Sequence, residues 1–326
     1  MRSRIAGTGS YAPQKVLTNA DLQKMVDTTD EWIVERTGIR ERHVAAPEEA
    51  TSDMAVAAAE RALALAGWAA TDLDLIVIGT ITPDMPWPST AALVQARLGA
   101  KKAFAFDVSA ACAGSLYAMS IADRYVSTGV AKKALVLGAE LLTRIVDWTD
   151  RNTCVLFGDG AGAMLLEASD DDRRGIQSIV LHTDGTQWGV LHQPGPGSRI
   201  PLSVEMVQEG KHHLFMNGRE VYKFAVRALE DVCREVLSAN KLAPSDVTYV
   251  CAHQANKRIL DATLDRLAIP PSKCWMNLEK YGNTSSASLP MTLDEANRAG
   301  WLKRGDLILT TAIGAGMAWG AGLIRW

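Results

Sequence analysis

The sequence predicts an α/β protein built twice, two similar halves in which strands and helices form stacked layers. Apolar runs of strand length alternate with amphipathic stretches of helix length along 326 residues, too long for one small core and suited to two halves of ordinary domain size. The halves also repeat each other in order. Asp72 and the strand after it match Asp246 and its strand, and the helix carrying Asp123 and Gly129 matches the one carrying Asp294 and Gly300. Gly160-Ala161-Gly162 matches Gly320-Ala321-Gly322, and on the same register Cys112 falls opposite Asn283. Two such halves facing each other bring corresponding strand ends together at a pseudo-twofold axis, where loops from both build one site. The expected division is 1–172 and 173–326.

Composition narrows the function. With 48% hydrophobic and 22% charged residues and a net charge of −3, nothing pulls the whole chain toward nucleic acid or an anionic membrane. The five cysteines, at 112, 154, 233, 251 and 274, are scattered without C-x-x-C spacing, which argues against a disulfide framework or a zinc site. No metal is expected, and a reducing cytoplasm fits best. The first residues show no apolar signal region, and the apolar stretch 310–326 is glycine-broken and too short to span a bilayer.

Taken in order, 4–8 reads as a short strand, and Thr18 or Asn19 caps a helix over 20–26. Residues 30–40 mix Trp32 with several charges, a surface composition. Ser52 or Asp53 caps a helix through Ala66, 75–79 is an apolar strand, and Pro83, Pro86 and Pro88 break the chain before a helix over 89–98. The strand 104–106 runs through 107–111 into Cys112 and a helix whose apolar residues Leu116, Met119, Ala122 and Val126 recur at helical spacing. Strand 134–138, an irregular stretch with Trp148 and Arg151, a glycine turn with a strand over 157–166, and a charged linker at 169–174 close the first half. The second half opens with strand 176–183 and a Gly- and Pro-containing flap, 185–211. A long helix from about Gly218 sets Val221, Ala225, Ala228, Leu229, Val232 and Val236 on one face and a basic row, Arg219, Lys223 and Arg227, on the other. Strand 247–252 leads into His253, strand 274–278 into Tyr281-Gly282-Asn283, and strand 307–311 into the loop 313–320 and a last strand.

Cys112 sits where a strand turns into a helix. Unpaired N–H groups and the helix dipole there stabilise a thiolate, so a thiol pKa of about 8.5 can fall toward neutrality and make Cys112 a nucleophile. Read from this segment alone, a small buried cysteine is the other reading. His253 ends a strand as Cys112 does, and Asn283 follows one, so topology converges three polar groups. A thiolate accepts an acyl group from a thioester, while backbone N–H groups at Cys112 and near Ala315 hold the oxyanion. A neutral imidazole N–H with a carboxamide N–H suits the enolate left when a malonyl thioester loses carbon dioxide. A Cys-His protease, with Asn283 orienting the histidine, remains an alternative on spacing.

Four stretches decide what spacing leaves open. Asp107 to Gly114 around Cys112, His253-Gln254-Ala255-Asn256, Tyr281 to Ser288 around Asn283, and Asp30 to His43 closely resemble β-ketoacyl-acyl carrier protein synthase III, and the likeness runs over nearly the whole chain. The resemblance implies a thiolase-like duplicated α-β-α-β-α fold, a homodimer, and the decarboxylating condensation that initiates fatty-acid biosynthesis. Acetyl-CoA acylates Cys112; malonyl-acyl carrier protein is then decarboxylated and condensed to acetoacetyl-acyl carrier protein. It implies Cys112, His253 and Asn283 as the catalytic triad, with acetyl-CoA a substrate and no permanently bound cofactor. A related synthase of secondary metabolism, using another primer or acceptor, is the alternative.

By the same resemblance Trp32 and Arg151 stack on the CoA adenine, roles suited to a flat indole and a flat guanidinium. Thr28, Arg36, Gly218 and Asn256 are expected as secondary CoA contacts. Lys223, Lys257 and Arg258 match the patch that docks the acidic carrier protein. Two departures stand out. Where the family often reads three glycines, this chain has Gly314-Ala315-Gly316, so Ala315 must keep an ordinary φ if its N–H is to serve the oxyanion. Trp87 stands where many relatives have Phe, and reaching over from a partner subunit it is expected to shorten the acyl pocket and favour acetyl primers.

Overall fold

A computed structural model describes residues 2–171 and 173–326. Asp172, where the expected division ends, lies outside the described residues. Across the first sheet run strands Arg2–Tyr11, Gly160–Ser169, Lys133–Glu140, Leu75–Gly79 and Phe104–Val108. Its last three strands are parallel, and the first two run antiparallel to their neighbours. The second sheet reads Tyr249–Ala252, Leu307–Gly314, Ala318–Arg325 and Gly175–Thr183, with one parallel pair followed by two antiparallel pairs. Its four strands repeat the order and sense of four of the first sheet's five, Phe104–Val108 lacking a counterpart, so the layered fold is a duplication, as expected.

Residues 274–278 do not form the expected fifth strand. Only Cys274 bridges Val250, after which the chain turns into the helix Leu278–Tyr281. The side chain of Gln254 takes the place of a neighbouring strand: its Nε2 donates to Trp275 O at 3.3 Å and its Oε1 accepts from Asn277 N at 3.3 Å. Once a side-chain amide satisfies those backbone groups, no ladder is required.

Helices Gly114–Ser127 and Ser288–Arg298 form the central layer, where Leu116, Met119, Leu289 and Leu293 join Val77 of one sheet and Ile308 of the other in one core. The Gly-Ala-Gly repeats explain how they fit. A Cβ on Gly162 would stand 2.6 Å from Met291 N, so the second half's central helix rests directly on the first sheet there, while one on Gly320 would stand 2.5 Å from Val180 O and 3.1 Å from Leu116 Cδ2. Helices Thr51–Ala66 and Thr90–Leu98 cover the outer face of the first sheet, and Gly218–Ala239 and Lys257–Arg266 that of the second.

The repeat carries a correction. Each central helix is entered through a 3₁₀ turn whose first residue has positive φ, Ala111 at 45° and Ser285 at 50°. Matched at these turns, Cys112 corresponds to Ser286 and not to Asn283. Counting back from Gly129 and Gly300 slips, because the first helix has 14 residues and the second 11. Two further stretches are more regular than expected. Residues 30–40 contain the helix Asp30–Thr37, capped by Thr29, and the flap contains the turn Gly185–Val190, the short strand Leu191–His192 and the helix Val204–Gln208.

Candidate active site

Cys112 lies in the turn Ala111–Ala113 and is 7% exposed. Strand Leu307–Gly314 ends against it: a Cβ on Gly314 would stand 2.5 Å from Cys112 N and 3.0 Å from Ala110 O, so only glycine permits that approach. In the next turn, Ala315–Met317, Gly316 takes the positive φ of 72° and Ala315 does not. An alanine is therefore accommodated there without strain.

His253 follows strand Tyr249–Ala252 and is anchored by its N–H to Thr311 O at 2.8 Å. Its Nδ1 lies 2.5 Å from Ser288 Oγ, which itself accepts the Gln254 N–H at 3.0 Å. With the serine hydroxyl donating to Nδ1, a direction this contact allows, the ring hydrogen sits on Nε2. Nε2 is buried without a hydrogen-bond partner. Burial pushes the imidazole down to about 3, so the ring is a neutral donor near neutral pH.

Asn283 is held by its own backbone, donating from N to Leu156 O at 2.8 Å and accepting the Gly158 N–H at 3.1 Å. Its Oδ1 accepts the Ser285 N–H at 2.8 Å, which leaves the NH2 as the group to offer. Cys112, His253 and Asn283 line one cavity of about 640 Å³, together with Arg36, Gly218, Lys223, Asn256 and Arg258. A second cavity, about 410 Å³ and mostly apolar, also reaches Cys112 and is walled by Ile81, Leu142, Phe157, Ala315 and, from the flap, Trp188 and Leu191.

A third cavity of about 920 Å³ touches Trp32, Arg36, Gly218 and Asn256. The guanidinium groups of Arg36 and Arg151 lie 4.9 and 5.1 Å from the Trp32 ring centre, and Arg151 also donates to Asp27 O at 2.7 Å. The Thr28 hydroxyl is buried and unpartnered. Asn256 caps the helix Lys257–Arg266 and donates to Arg36 O at 3.1 Å. The basic row is partly neutralised on its own helix, by Lys223–Glu220 at 2.9 Å and Arg227–Asp231 at 3.8 Å, and Lys257 pairs with Asp261 at 2.6 Å. Arg258 lies over Tyr222. Trp87 is 83% exposed and lines none of these three cavities.

One expectation is reversed. The Cys112 thiol is not lowered; burial pushes it up to about 12, with the Ser285 hydroxyl pulling down and Glu140 pushing up. The turn spends two of its donors, Ala113 N on Ala110 O and Gly114 N on Ala111 O, and a residue 7% exposed offers a thiolate little solvation. The protease alternative loses its orienting residue. Nδ1 of His253 meets Ser288, not Asn283, whose Oδ1 accepts from Ser285 N.

Sequence reasoning missed Glu140, Ser285 and Ser288. Glu140, fully buried, accepts from Thr82 Oγ1 at 2.7 Å, Ile81 N at 3.1 Å and Ser285 Oγ at 3.2 Å. Burial pushes its carboxyl up to about 7. A carboxylate directly after the apolar run 134–139 was the available signal.

Sequence profiles of the 3-oxoacyl-(acyl-carrier-protein) synthase III family match residues 106–185, and those of its C-terminal region match residues 237–326. A beta-ketoacyl-(acyl-carrier-protein) synthase III of Xanthomonas campestris pv. campestris is 53% identical over 99% of this chain and 98% of its own length. The crystal structure of 3-oxoacyl-(acyl-carrier-protein) synthase III from Aquifex aeolicus superposes with a TM-score of 0.93 at 48% identity, covering 99% of this chain and 100% of that one. The priming beta-ketosynthase of the R1128 polyketide pathway superposes with a TM-score of 0.92 at 37% identity, over 99% and 95%.

Proposed function

The chain belongs to the 3-oxoacyl-(acyl-carrier-protein) synthase III family, and from that premise we propose how its own residues perform the reaction. It is a condensing acyltransferase of the thiolase fold. It joins the acetyl group of acetyl-CoA to malonyl-acyl carrier protein with loss of carbon dioxide, the initiating step of fatty-acid biosynthesis. Cys112 attacks the acetyl thioester and CoA leaves. The N–H groups of Cys112 and Ala315 hold the oxyanion during that transfer. Malonyl-acyl carrier protein then enters, and as carbon dioxide departs the enolate oxygen is held by the Nε2–H of His253 and the NH2 of Asn283. The carbanion attacks the acyl-cysteine and frees Cys112. A metal is not required, because two neutral donors aimed at one oxygen supply the stabilisation, each on the order of 10²–10³-fold in rate.

The observation that carries this reading is the buried, unpartnered Nε2 of His253 lining the same cavity as Cys112 and Asn283. Mixing the protein with acetyl-CoA and weighing it intact tests it. The expected result is a gain of one acetyl group, absent in Cys112→Ala. A chain that gains none, or a Cys112→Ala variant that still does, contradicts the assignment.

The remaining assignments rest on the same premise. Trp32 and Arg151 stack on the CoA adenine, whose entry between them opens their 5.1 Å contact, and Thr28, Arg36, Gly218 and Asn256 contact the rest of CoA; the unpartnered Thr28 hydroxyl supports its share. Lys223, Lys257 and Arg258 receive the acyl carrier protein, acting mainly on encounter rate and its salt dependence, since their own helices already supply partial counter-charges. The enzyme is a cytoplasmic homodimer without a permanent cofactor, its halves divided at 1–172 and 173–326. In the dimer Trp87 of each subunit caps the acyl pocket of the other, which its exposure on the single chain supports. The likeness to the R1128 priming ketosynthase favours one second reading, a synthase of secondary metabolism with another primer, which a screen of acyl-CoA primers separates.

A further inference from the structure

The reaction leaves one proton unassigned. Cys112 must lose its thiol proton to become a nucleophile, and in the tautomer that serves decarboxylation His253 carries hydrogen on the nitrogen at the cavity, with Nδ1 tied to Ser288. The other buried acid beside the thiol is Glu140, the last residue of strand Lys133–Glu140. Its two oxygens are unequal. Oε2 accepts from Thr80 Oγ1 at 3.3 Å, Ile81 N at 3.1 Å and Thr82 Oγ1 at 2.7 Å, whereas Oε1 accepts from Ser285 Oγ at 3.2 Å. Ser285, held at φ 50°, lines the apolar cavity together with Cys112, and its hydroxyl acts on the thiol. Among the described ion pairs none involves Glu140. Around it the 80–82 segment supplies two hydroxyls and an amide, Ser286 gives its hydroxyl to Gly79 O, and strand Gly160–Ser169 sets Gly160 opposite. The charge of Glu140 acts on Cys112, holding the thiol in its protonated form. A buried carboxylate needs a cation or a full set of donors; this one is held by three hydroxyls and an amide, and the Ser285 hydroxyl is the one on the side of Cys112.

We infer that Glu140, acting through the Ser285 hydroxyl, accepts the Cys112 proton during acylation and returns it to the sulfur when condensation frees Cys112. This rests on the reading of Cys112 as the acylated residue. In acylation the sulfur–hydrogen bond breaks as the sulfur–carbonyl bond forms: the thiol proton passes to Ser285 Oγ, and the Ser285 proton passes to Oε1. CoA leaves as a thiolate and is protonated by solvent. The acyl-enzyme thus holds Glu140 neutral, the form that burial favours. In condensation the malonyl carboxylate leaves as carbon dioxide, the new carbon–carbon bond expels the Cys112 sulfur, and the stored proton returns along the same path. The carboxylate charge is restored, and atoms and charge balance over the cycle. Glu140 touches no substrate and works only by way of Ser285.

The test compares Glu140→Gln and Ser285→Ala with the unaltered enzyme in two assays, acetyl transfer from acetyl-CoA and alkylation of Cys112 by iodoacetamide from pH 5 to about pH 10. In the unaltered enzyme alkylation is expected to rise through an inflection near the Glu140 value of about 7. Both variants are expected to lose that inflection, to acylate ~100-fold more slowly at neutral pH with KM for acetyl-CoA within about twofold, and to recover at high pH. Recovery in alkali separates a lost proton acceptor from a damaged fold. If Glu140→Gln does not fold, Ser285→Ala decides alone. Variants that acylate within about threefold of the unaltered enzyme and keep its inflection overturn the inference. An unaltered enzyme that takes no acetyl group overturns the reading of Cys112 instead, while its alkylation profile still tests the relay.

Discussion

At Cys112 two effects oppose each other, and their sizes decide the outcome. A helix N-terminus stabilises an anion by about 0.3–1 kcal/mol, up to about 2 in favourable geometry. Raising the thiol from 9.0 to about 12 corresponds to about 4 kcal/mol, so burial wins. The nucleophile is therefore stored as a thiol and needs a partner to take its proton. Glu140 follows the same logic with a consequence for stability. Its carboxyl rises from 4.5 to about 7 on folding, so between those values the folded chain binds more protons than the unfolded one, and stability falls as pH rises through that window. His253, lowered from 6.5 to about 3, works the other way, making stability rise with pH between 3 and 6.5. Glu140→Gln removes only the first effect. Its melting temperature relative to the unaltered protein is expected to climb between pH 4.5 and 7.5, by the equivalent of up to about 3 kcal/mol, and to stay flat above. Calorimetry across that range checks it, and a difference that does not change with pH contradicts it. Cys112, His253 and Asn283 could be picked out in the sequence because each sits at a strand end or glycine turn. Glu140 could not: one carboxylate after a strand looks the same whether it faces water or a thiol, and only the approach of the 285–287 turn from the other half makes it matter.

Elements show where periodicity informs and where it does not. The strands 75–79 and 134–138 and the long helix from Gly218 were readable because burial imposes a regular apolar pattern on them. The run 274–278 misled because an apolar stretch beside a sheet becomes a strand only if its backbone groups need a ladder, and Gln254 had already met that need. The helix register misled for a different reason, since the two central helices end alike but differ by nearly one turn in length. Gly314 joins element to site. Because a Cβ there would stand 2.5 Å from Cys112 N, Gly314→Ala has to push the last strand or the cysteine turn aside. It is expected to cost about 1–3 kcal/mol of stability and to slow acylation of Cys112 by more than the loss of folded protein explains. Thermal melts alongside single-turnover acylation measure both, and a variant normal in each contradicts the close-approach argument.

Over the whole molecule, duplication produces the site. The two central helices share the layer between the sheets, and the turn with Cys112 comes from one half while His253 and Asn283 come from the other, so that the three line one cavity. The repeated Asp and Gly positions made the two halves legible in the sequence. The partner-facing roles were not, because exposed residues such as Trp87 and Lys223 read as ordinary surface until a resemblance gives them a task. Among the described residues no helix is long and apolar enough to cross a membrane. The central claim is a division of labour inside that cavity: the sulfur holds the acyl group, and the two neutral donors serve only the decarboxylation. Following both half-reactions in His253→Ala and Asn283→Ala tests it most directly, with intact mass reporting acetyl transfer and labelled carbon dioxide reporting loss from malonyl-acyl carrier protein. Both variants are expected to acylate Cys112 within about tenfold of the unaltered enzyme and to release carbon dioxide ~10²–10³-fold more slowly. Variants that release carbon dioxide at the normal rate, or that lose acylation and decarboxylation equally, contradict it.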